Sequence, residues 1–423
     1  MQSTKHLQPF EYTAKNKDAG VGCKASLPGK WRILALWGLR TPLANPSRQP
    51  QIAAKTKRQV RDAISSKRTI SIVRKLLWLI LVAILAATGW FAWALLSPTT
   101  PPRNTFVMLR PGYSTRRIAA ELKASGVIRS ERAFVFWHYL HHRRSLKAGE
   151  YLFEKPASTR DIHRRLARGE VYFHTVVVPE GYTMFDIARA IEGAGLGSAA
   201  DFLKVAQSDT ALISDLAPGA HSLEGYLFPN TYEFTRMMTM QEMAAAMVKQ
   251  FRQVAHQIGL TSGTATGPPI SEGAESSAIA EVGRGSVDVQ RIVTMASIVE
   301  KETAVAEERP LVASVYYNRL ARNIALDADP SIIYAELLAG TYSGALHHDD
   351  MHFKSPYNTY RYPGLPPGPI ANPGKSALEA AMHPAQSDYY YFVADAAGHH
   401  RFAHSMEEHN RNVAEYRRAM RGR

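Results

Sequence analysis

The sequence predicts an α+β protein in several parts: a single N-terminal transmembrane helix, small α/β subdomains, and a larger mixed α+β domain. Two observations predict this order. Residues 76–96 form a run without a charged residue, and short apolar strands followed by amphipathic helices begin near residue 104. The 423 residues are also enough for more than one hydrophobic core.

The basic charge of the chain is concentrated in its N-terminal tail. Residues 1–75 hold 16 of the 51 Lys and Arg and 3 of the 37 Asp and Glu, so the tail carries +13 and the rest +1. With nearly equal numbers of positive and negative residues, residues 76–423 lack the broad basic face that nucleic-acid binding requires. We therefore predict no nucleic-acid partner. Gly, Pro, Ser, Gln and basic residues dominate residues 1–73, for which we predict disorder. The single cysteine, Cys23, has no second cysteine to pair with.

Residues 76–96 read LLWLILVAILAATGWFAWALL and follow directly on Arg74 and Lys75. A helix of this length spans about 30 Å, the thickness of the hydrocarbon layer of a bilayer. A buried core helix this long would carry more polar residues, and a cleaved signal peptide would begin earlier. We therefore predict a single-pass membrane helix over residues 74–97. Its basic flank would keep residues 1–73 in the cytoplasm and place the remainder outside the inner (plasma) membrane.

An internal repeat follows the membrane segment. Residues 98–102 read PTTPP, which predicts a stiff spacer that holds the next domain off the lipid. Gly-Tyr-Ser at 112–114 and Gly-Tyr-Thr at 181–183 each stand between an apolar strand and an amphipathic helix. Such strand–turn–helix units resemble LysM-like modules, which bind N-acetylglucosamine polymers. We predict a membrane-proximal α/β subdomain over residues 98–172 and a LysM-like subdomain over residues 173–235.

Residues 236–420 are predicted to form the largest domain and to carry the chemistry. Helical patterning covers residues 287–303 and 307–323, and a Pro/Gly loop covers residues 363–374. A short helix, a strand and a C-terminal helix follow. Residues 261–287, rich in Gly, Ser, Ala and Pro, predict a flexible insertion ahead of the first helix.

One carboxylate of the first of these helices is a candidate catalytic group. In RIVTMASIVEKET, Glu300 shares a helical face with Val293 and Ala296, whereas Glu302 is turned about 200° away from Glu300. An inward carboxyl loses hydration, so its pKa rises. A glycosidic bond cleaved near neutral pH needs such an acid to protonate the leaving oxygen. The alternative interpretation is a buried glutamate that bonds to a neighbouring amide.

Rigid Gly/Pro loops elsewhere present aromatic rings and amides, which suit a carbohydrate groove. Together with the helix that carries Glu300, these loops make residues 104–418 resemble the endolytic murein transglycosylases of the MltG/YceG-like family. The resemblance is carried in order by PEGYT (179–183), LEGYLFPNTY (223–232), ASIVEKET (296–303), ERPLVASVYYNRL (308–320), DADPSIIY (327–334), PYNTY (356–360), GLPPGPIANPG (364–374), YYFVAD (390–395) and EHN (408–410).

The resemblance implies both a site and a reaction. Glu300 would be the catalytic residue, and the groove would be lined by Glu224, Tyr226, Asn318, Asp329, Tyr357 and Asn358. The reaction would be a lyase-type cut between N-acetylmuramic acid and N-acetylglucosamine in nascent strands, which leaves 1,6-anhydro ends and terminates polymerisation. Because the nucleophile is the substrate's own 6-hydroxyl, one glutamate can act as acid and then as base. No cofactor is implied; the partners would be peptidoglycan, the bilayer and peptidoglycan synthases.

Three alternatives stay open from the residues. A metal site is disfavoured because the cluster around His399, His400 and His404 lacks the spacing of a zincin helix. A non-catalytic wall-binding scaffold would have no use for an inward carboxylate. A lysozyme-like hydrolase would differ in product mass, since hydrolysis adds a water to the new chain end.

Overall fold

The computed structural model describes residues 49–141, 145–261 and 288–421, with side chains from residue 69 onward. Within these ranges the helices are α1 (Gln49–Leu96), α2 (Thr115–Ala124), α3 (Glu131–Leu140), α4 (Thr159–Arg168), α5 (Met184–Gly193), α6 (Ala199–Ser208), α7 (Met240–Gln257), α8 (Val289–Glu302), α9 (Arg309–Ala321), α10 (Asp329–Ala339), α11 (Lys375–Met382) and α12 (Met406–Arg421). The strands are β1 (Thr105–Leu109), β2 (Gly149–Phe153), β3 (His174–Val178), β4 (Asn230–Phe234), β5 (Tyr391–Ala394) and β6 (His400–Ala403). This is the mixed α+β composition that the sequence predicted.

Helix α1 begins at Gln49, well before the apolar run. Residues 49–73, for which the sequence predicts disorder, belong to this helix, and residues 1–48 lie outside the described residues. Ala, Lys, Arg and Gln favour helix, and neither proline nor glycine interrupts the segment between Pro50 and Gly89. In the described part of the chain, one stretch, Thr69–Leu96, is long and apolar enough to cross a membrane, and an 18-residue segment of it has a mean hydropathy of 2.3.

The first unit after α1 runs from β1 to α4 in the order β–α–α–β–α. Strands β1 and β2 pair antiparallel, from Thr105 opposite Phe153 to Leu109 opposite Gly149. A serine side chain caps the N-terminus of each helix in the unit, and these serines are Ser114, Ser130 and Ser158. The unit has its own core, formed chiefly by Val107, Leu109, Leu122, Phe134, Tyr151, Phe153, Ile162 and Leu166.

The second unit repeats the β–α–α–β order with β3, α5, α6 and β4. Its strands also pair antiparallel, from His174 opposite Phe234 to Val178 opposite Asn230. Thr183 and Asp186 form a capping box at the start of α5. The strand before each Gly-Tyr pair and the capped helix after it are as predicted. The second helix and the return strand of each unit were not predicted, because the repeat signal ended with the first helix.

The second unit does not have a core of its own. Buried residues from Val176 to Met382 form one hydrophobic cluster, to which α7 contributes Met243, Met247 and Phe251. The predicted division at residues 235/236 therefore does not separate two cores. The physical reason is that the apolar face of α7 is buried partly against α6, so neither part would be covered alone. The predicted insertion at 261–287 lies outside the described residues except for Thr261.

The last turns of α1 pack on the first unit. The Thr159 hydroxyl donates to the Ala94 carbonyl oxygen over 3.0 Å, and the rings of Phe91 and Phe136 meet edge to face at 5.1 Å. Thr99 and Ala157 exchange backbone hydrogen bonds. Polar and aromatic groups on both sides of residues 98–102 therefore bind the first unit to the end of α1.

Helix α8 is the central element of the C-terminal part. It packs against α9, α10 and α11, while α12 packs on the β5–β6 hairpin. Helices α8, α9, α11 and α12 and strand β5 lie where the patterning predicted them, with ends that differ by a few residues, whereas α10 and β6 were not predicted.

A buried carboxylate joins the two β–α–α–β units. Glu150 in β2 is 1% exposed, and its two oxygens lie 2.9 Å from His174 Nε2 and 2.6 Å from Arg236 Nη1. His174 is in β3 and Arg236 follows β4. The contact therefore fixes the second strand pair against the first.

Glu150→Ala is expected to lower the free energy of unfolding by about 2–4 kcal/mol, because it leaves His174 and Arg236 without their carboxylate partner. Urea denaturation followed by circular dichroism measures the loss. Glu154→Ala, at an exposed position just after β2, is the matched control and should change little. Equal midpoints for the two variants would contradict the role of Glu150.

Candidate active site

The two glutamates at the C-terminal end of α8 lie in different surroundings. Glu300 is 5% exposed, and its Oε1 accepts a hydrogen bond from Arg309 Nη2 at 2.8 Å. Its Oε2 accepts from the Gly374 amide at 2.9 Å. Both carboxylate oxygens of Glu300 are therefore engaged by the protein, in an ion pair and a backbone hydrogen bond.

Glu302 faces a cavity of about 350 Å³. The cavity walls come from the end of α8, from α9 and α10, from the loop before α10, from the hairpin and from α12. In the described part of the chain its lining is Glu302, Tyr316, Arg319, Leu326, Asp327, Asp329, Tyr360, Tyr391, Phe392, Met406, His409 and Asn410. Glu300 is not among these residues. The geometry thus favours Glu302 over Glu300 as the carboxyl that a ligand can reach.

Helix α8 is buried on every side, and this explains why the helical-face argument selected Glu300. All eight residues from Ile292 to Val299 are buried, including the polar Thr294 and Ser297. A face argument assumes one inward stripe and one outward stripe. With neighbours around the whole helix, Glu302 is directed into protein as well, although it lies about 200° from Glu300.

The protein environment adjusts the acidity of Glu302. Desolvation by burial, together with the smaller effect of the nearby Asp329 charge, raises the pKa of Glu302 to about 7. A hydrogen bond with Tyr316 and the charge of Arg319 act in the lowering direction. A carboxyl with this pKa is present in both protonation states near neutral pH, as an acid/base catalyst requires.

Burial also raises the pKa of Glu300, against the lowering effects of the Gly374 amide and of Arg309. A third carboxylate, Glu180, lies 3.6 Å from the same guanidinium and is half exposed. Arg309 is thus shared between two carboxylates. This arrangement holds the PEGYT segment and α9 against the end of α8.

Two of the predicted groove residues, Glu224 and Tyr226, are enclosed. Glu224 is 1% exposed and Tyr226 is 0% exposed, so neither presents a surface to a substrate. The carboxylate of Glu224 accepts from the Met184 amide at the start of α5, at 2.9 and 3.1 Å. Burial raises the pKa of Glu224 to about 8, although the bonds from Met184 and Tyr334 favour its ionised form. The prediction that they line a groove does not match this burial.

Asn372 connects the segments around Glu224. Its Oδ1 accepts from the Gly225 and Leu227 amides, both at 2.9 Å. Its Nδ2 donates to Glu224 Oε1 at 2.7 Å and to the Tyr182 carbonyl at 2.9 Å. One amide therefore ties the PEGYT, LEGYL and IANPG segments together. Gly225 is required here, because its φ is +88° and a Cβ would lie 2.5 Å from Pro369.

The other predicted residues are dispersed. Asn358 is fully buried and donates to the Met351 and Phe353 carbonyls. Asn318 in α9 donates to two backbone carbonyls just before β5. Tyr357 packs its ring 5.2 Å from that of Tyr334. Of the predicted groove residues, Asp329 is the one that lines the Glu302 cavity, where it accepts a hydrogen bond from the Tyr360 hydroxyl.

Several cavity residues were not predicted individually, although the motifs that contain them were recognised. Tyr316 and Arg319 lie in the ERPLVASVYYNRL segment, and His409 and Asn410 lie in the EHN segment. Arg319 bonds to the Tyr390 carbonyl through Nε and to Asp327 through Nη1. Nothing in the spacing of these motifs showed that they meet, since more than 100 residues separate Glu302 from His409.

The histidines considered for metal binding have carboxylate partners. His399 Nδ1 and His400 Nδ1 lie 2.9 and 2.7 Å from the oxygens of Glu308, and His404 Nδ1 lies 3.0 Å from Asp388. The two pairs with Glu308 fix the hairpin to the start of α9. Within residues 69–141, 145–261 and 288–421, no group of three or more His, Cys, Asp or Glu is arranged to hold a metal ion.

The whole region from the first unit to α12 corresponds to one known family. The model of the YceG-like family matches residues 107–415, which confirms the resemblance seen in the motifs. The chain therefore belongs to the YceG-like family.

Its relatives include proteins named endolytic murein transglycosylase. The Bacillus subtilis protein is 32% identical over 340 residues, which cover 76% of this chain and 88% of that protein. The Streptococcus pneumoniae protein is 31% identical over 379 residues, which cover 80% of this chain and 64% of the longer relative. A crystal structure of a YceG-like protein from Listeria monocytogenes is 32% identical, with a TM-score of 0.45, and covers 72% of this chain and 98% of that one.

The raised pKa of Glu302 predicts a pH-dependent effect of Glu302→Gln on stability. Between pH 4.5, the ordinary value, and about pH 7, the unfolded chain loses this proton while the folded chain keeps it. The wild-type free energy of unfolding therefore falls across this interval and the loss is complete above it. Glutamine removes the penalty, so the variant should gain on the order of 2–3 kcal/mol over wild type at high pH and almost nothing at low pH.

Urea denaturation of both proteins at a series of pH values measures this difference. Glu154→Gln, at an exposed site, is the control and should show no such trend. A Glu302→Gln difference that stays constant with pH would contradict the raised pKa.

Proposed function

We propose that this chain is an endolytic murein transglycosylase that cuts peptidoglycan glycan strands, with Glu302 as its acid/base residue. The observation that carries the residue assignment is a carboxyl with a pKa of about 7 on the wall of a cavity rich in aromatic and polar side chains. The reaction class is supported by the names of the relatives at 31–32% identity.

In the first step, the protonated Glu302 carboxyl donates its proton to the oxygen between N-acetylmuramic acid and N-acetylglucosamine. The bond from C1 of the muramoyl ring to that oxygen breaks, and the N-acetylglucosamine part leaves as an alcohol. The ring carries the resulting positive charge in an oxocarbenium-like state. Because burial raises the pKa of Glu302 to about 7, a substantial fraction of the carboxyl is protonated at neutral pH and can act as the acid.

In the second step, the Glu302 carboxylate takes the proton of the muramoyl 6-hydroxyl while O6 bonds to C1. The product is a 1,6-anhydro ring, and Glu302 regains the proton that it donated. Since the nucleophile belongs to the substrate, no second carboxylate is needed to hold a water. One side chain therefore accounts for both proton transfers, to the leaving oxygen and from the 6-hydroxyl.

The cavity offers groups that suit a sugar polymer. Tyr391 and Phe392 can stack against pyranose rings, and Asn410 can bond to an acetamido group. Besides Glu302 the lining has two carboxylates, Asp327 and Asp329, and in a hydrolase one of them would have to activate a water. Asp327 forms an ion pair with Arg319 and Asp329 accepts a hydrogen bond from Tyr360, which supports a role for both in fixing the cavity wall.

The remaining predicted residues acquire supporting roles in this proposal. Glu300 acts as a positioning residue, because its bonds to Arg309 and Gly374 hold the end of α8 against two neighbouring segments. Glu224 acts in the same way through the start of α5. Neither would contact the reacting atoms.

We further propose that Thr69–Leu96 anchors the protein in the plasma membrane and that the cavity faces outward, toward peptidoglycan. The exposed side chains of the helix and its basic N-terminal flank support the anchor and this orientation. The β–α–α–β units would be LysM-like glycan-binding modules, which their repeated order supports. Cutting at the membrane would let the enzyme terminate strands as synthases polymerise them.

Glu302→Gln is expected to lower the release of anhydro-muropeptides about 100-fold or more, because the amide can neither give nor take the proton. Mass spectrometry of products from purified glycan strands measures the loss, and circular dichroism checks the fold. Glu300→Gln is the matched variant two residues away. It should keep most of the activity while losing stability, because it weakens a buried ion pair.

The reverse outcome, with Glu300→Gln inactive and Glu302→Gln active, would return the assignment to Glu300. Products heavier by one water would show a hydrolase instead of a transglycosylase. Strand binding without any cleavage by the wild-type protein would favour the non-catalytic scaffold.

The pH profile tests the same carboxyl independently. We expect kcat/KM to fall as the pH rises through about 7, because the free enzyme then loses the acid proton of Glu302. Glu300→Gln should leave the position of this fall unchanged. A profile that stays flat to well above pH 7 would contradict Glu302 as the acid.

A further inference from the structure

A second cavity, of about 260 Å³, lies far along the chain from Glu302, between α3 and α4 of the first unit. In the described part of the chain its lining is Trp137, His141, Arg160, His163 and Arg164. The lining thus consists of two guanidinium groups, two imidazoles and an indole. Hydrogen-bond donors and positive charge without a carboxylate in the wall are the properties of an anion site.

The charge in this basic pocket is available to a ligand. Within residues 69–141, 145–261 and 288–421, the Arg160 side chain forms no ion pair or hydrogen bond, and it is exposed. Arg164 lies 3.4 Å from Asp161, and both side chains are at least 40% exposed. Such an exposed pair is weak, so Arg164 can also turn to an incoming anion. Two arginines in reach of one another match the oxygens of a phosphate group.

The two helices that form the pocket contact the last turns of α1. Thr159, the residue before Arg160, bonds to the Ala94 carbonyl in the last turn of α1. Phe136, the residue before Trp137, contacts Phe91 of the same helix. Each of the two helices that form the pocket is therefore in direct contact with the segment where α1 would leave the bilayer.

The surface beside the pocket has the composition of a membrane interface. On α3, Phe136, Tyr139 and Leu140 are all more than half exposed, and so are Trp90 and Trp93 near the end of α1. The guanidinium of Arg129 lies 4.8 Å from the Trp93 ring. Aromatic rings favour the depth of the headgroups, and arginine adjacent to them can reach lipid phosphates.

We propose that the basic pocket binds the phosphate of an anionic phospholipid headgroup and so seats the first unit on the membrane surface, with the exposed face of α3 in the interface. The proposal rests on the membrane anchor of the proposed function, and it is independent of glycan cleavage. Its consequence is a fixed height for the first unit above the bilayer, since both α1 and a lipid would hold it.

The test measures binding of phosphatidylglycerol to the full-length protein in detergent micelles by native mass spectrometry. Arg160→Gln with Arg164→Gln should raise the apparent dissociation constant roughly 25-fold, at about one factor of five for each basic residue. Arg116→Gln with Lys123→Gln removes the same charge from exposed positions of α2 and should leave binding unchanged. Hydrogen exchange of α3 and α4 should slow in phosphatidylglycerol nanodiscs relative to phosphatidylcholine nanodiscs.

If the two double variants raise the apparent dissociation constant equally, the proposed binding site is wrong, because net charge alone would then explain lipid binding. Displacement of the lipid by an equal concentration of inorganic phosphate would show a site for free phosphate and overturn the lipid assignment. Failure of the anchor is recognised separately, by release of the wild-type protein from membranes in alkaline carbonate. In that event the micelle titration still decides whether the pocket holds a lipid phosphate.

Discussion

The burial of α8 on all sides is the constraint on which the candidate site depends. Because every residue from Ile292 to Val299 is enclosed, the helix has a fixed rotation and a fixed end. The two glutamates of its last turn are then held in different places. Glu300 reaches Arg309 and the Gly374 amide, whereas Glu302 reaches the cavity. One helix thus supplies both a structural ion pair and a carboxyl with a pKa near neutrality.

A buried polar network stabilises the loops around this helix. The amide of Asn372 connects the segments that contain Tyr182 and Gly225, and Glu224 joins the same network at the start of α5. Enclosed polar groups are costly unless each finds a partner, so such a network has few alternative arrangements. This explains why the Gly/Pro motifs, which suggested a groove, act largely as the frame of the site. The family membership supports the reaction, and the frame and the cavity support the proposal that Glu302 performs it.

A few specific contacts also connect the elements of the N-terminal half of the protein. The end of α1 is bound by Thr159 and Phe136, so the first unit is a continuation of the helix and not a tethered domain. The buried Glu150 then connects this unit to the second one through His174 and Arg236. Together these contacts connect the end of α1 to the first unit and the first unit to the second. The second unit in turn shares its hydrophobic core with the candidate active site. Under the proposed function, these connections would hold the cavity at a defined position relative to the bilayer.

The sequence by itself determined the features that depend on neighbours in the chain. Apolar length predicted the stretch that could span a membrane, Ser114 and Thr183 predicted helix starts, and the ordered motifs predicted the family. Only the tertiary structure decided what each motif contacts. Helical periodicity could not distinguish Glu300 from Glu302, because α8 is surrounded by protein. Periodicity also could not show that Glu302 and His409 line the same cavity, or that α7 shares a core with the second unit. Both contacts join parts of the chain that are distant in sequence.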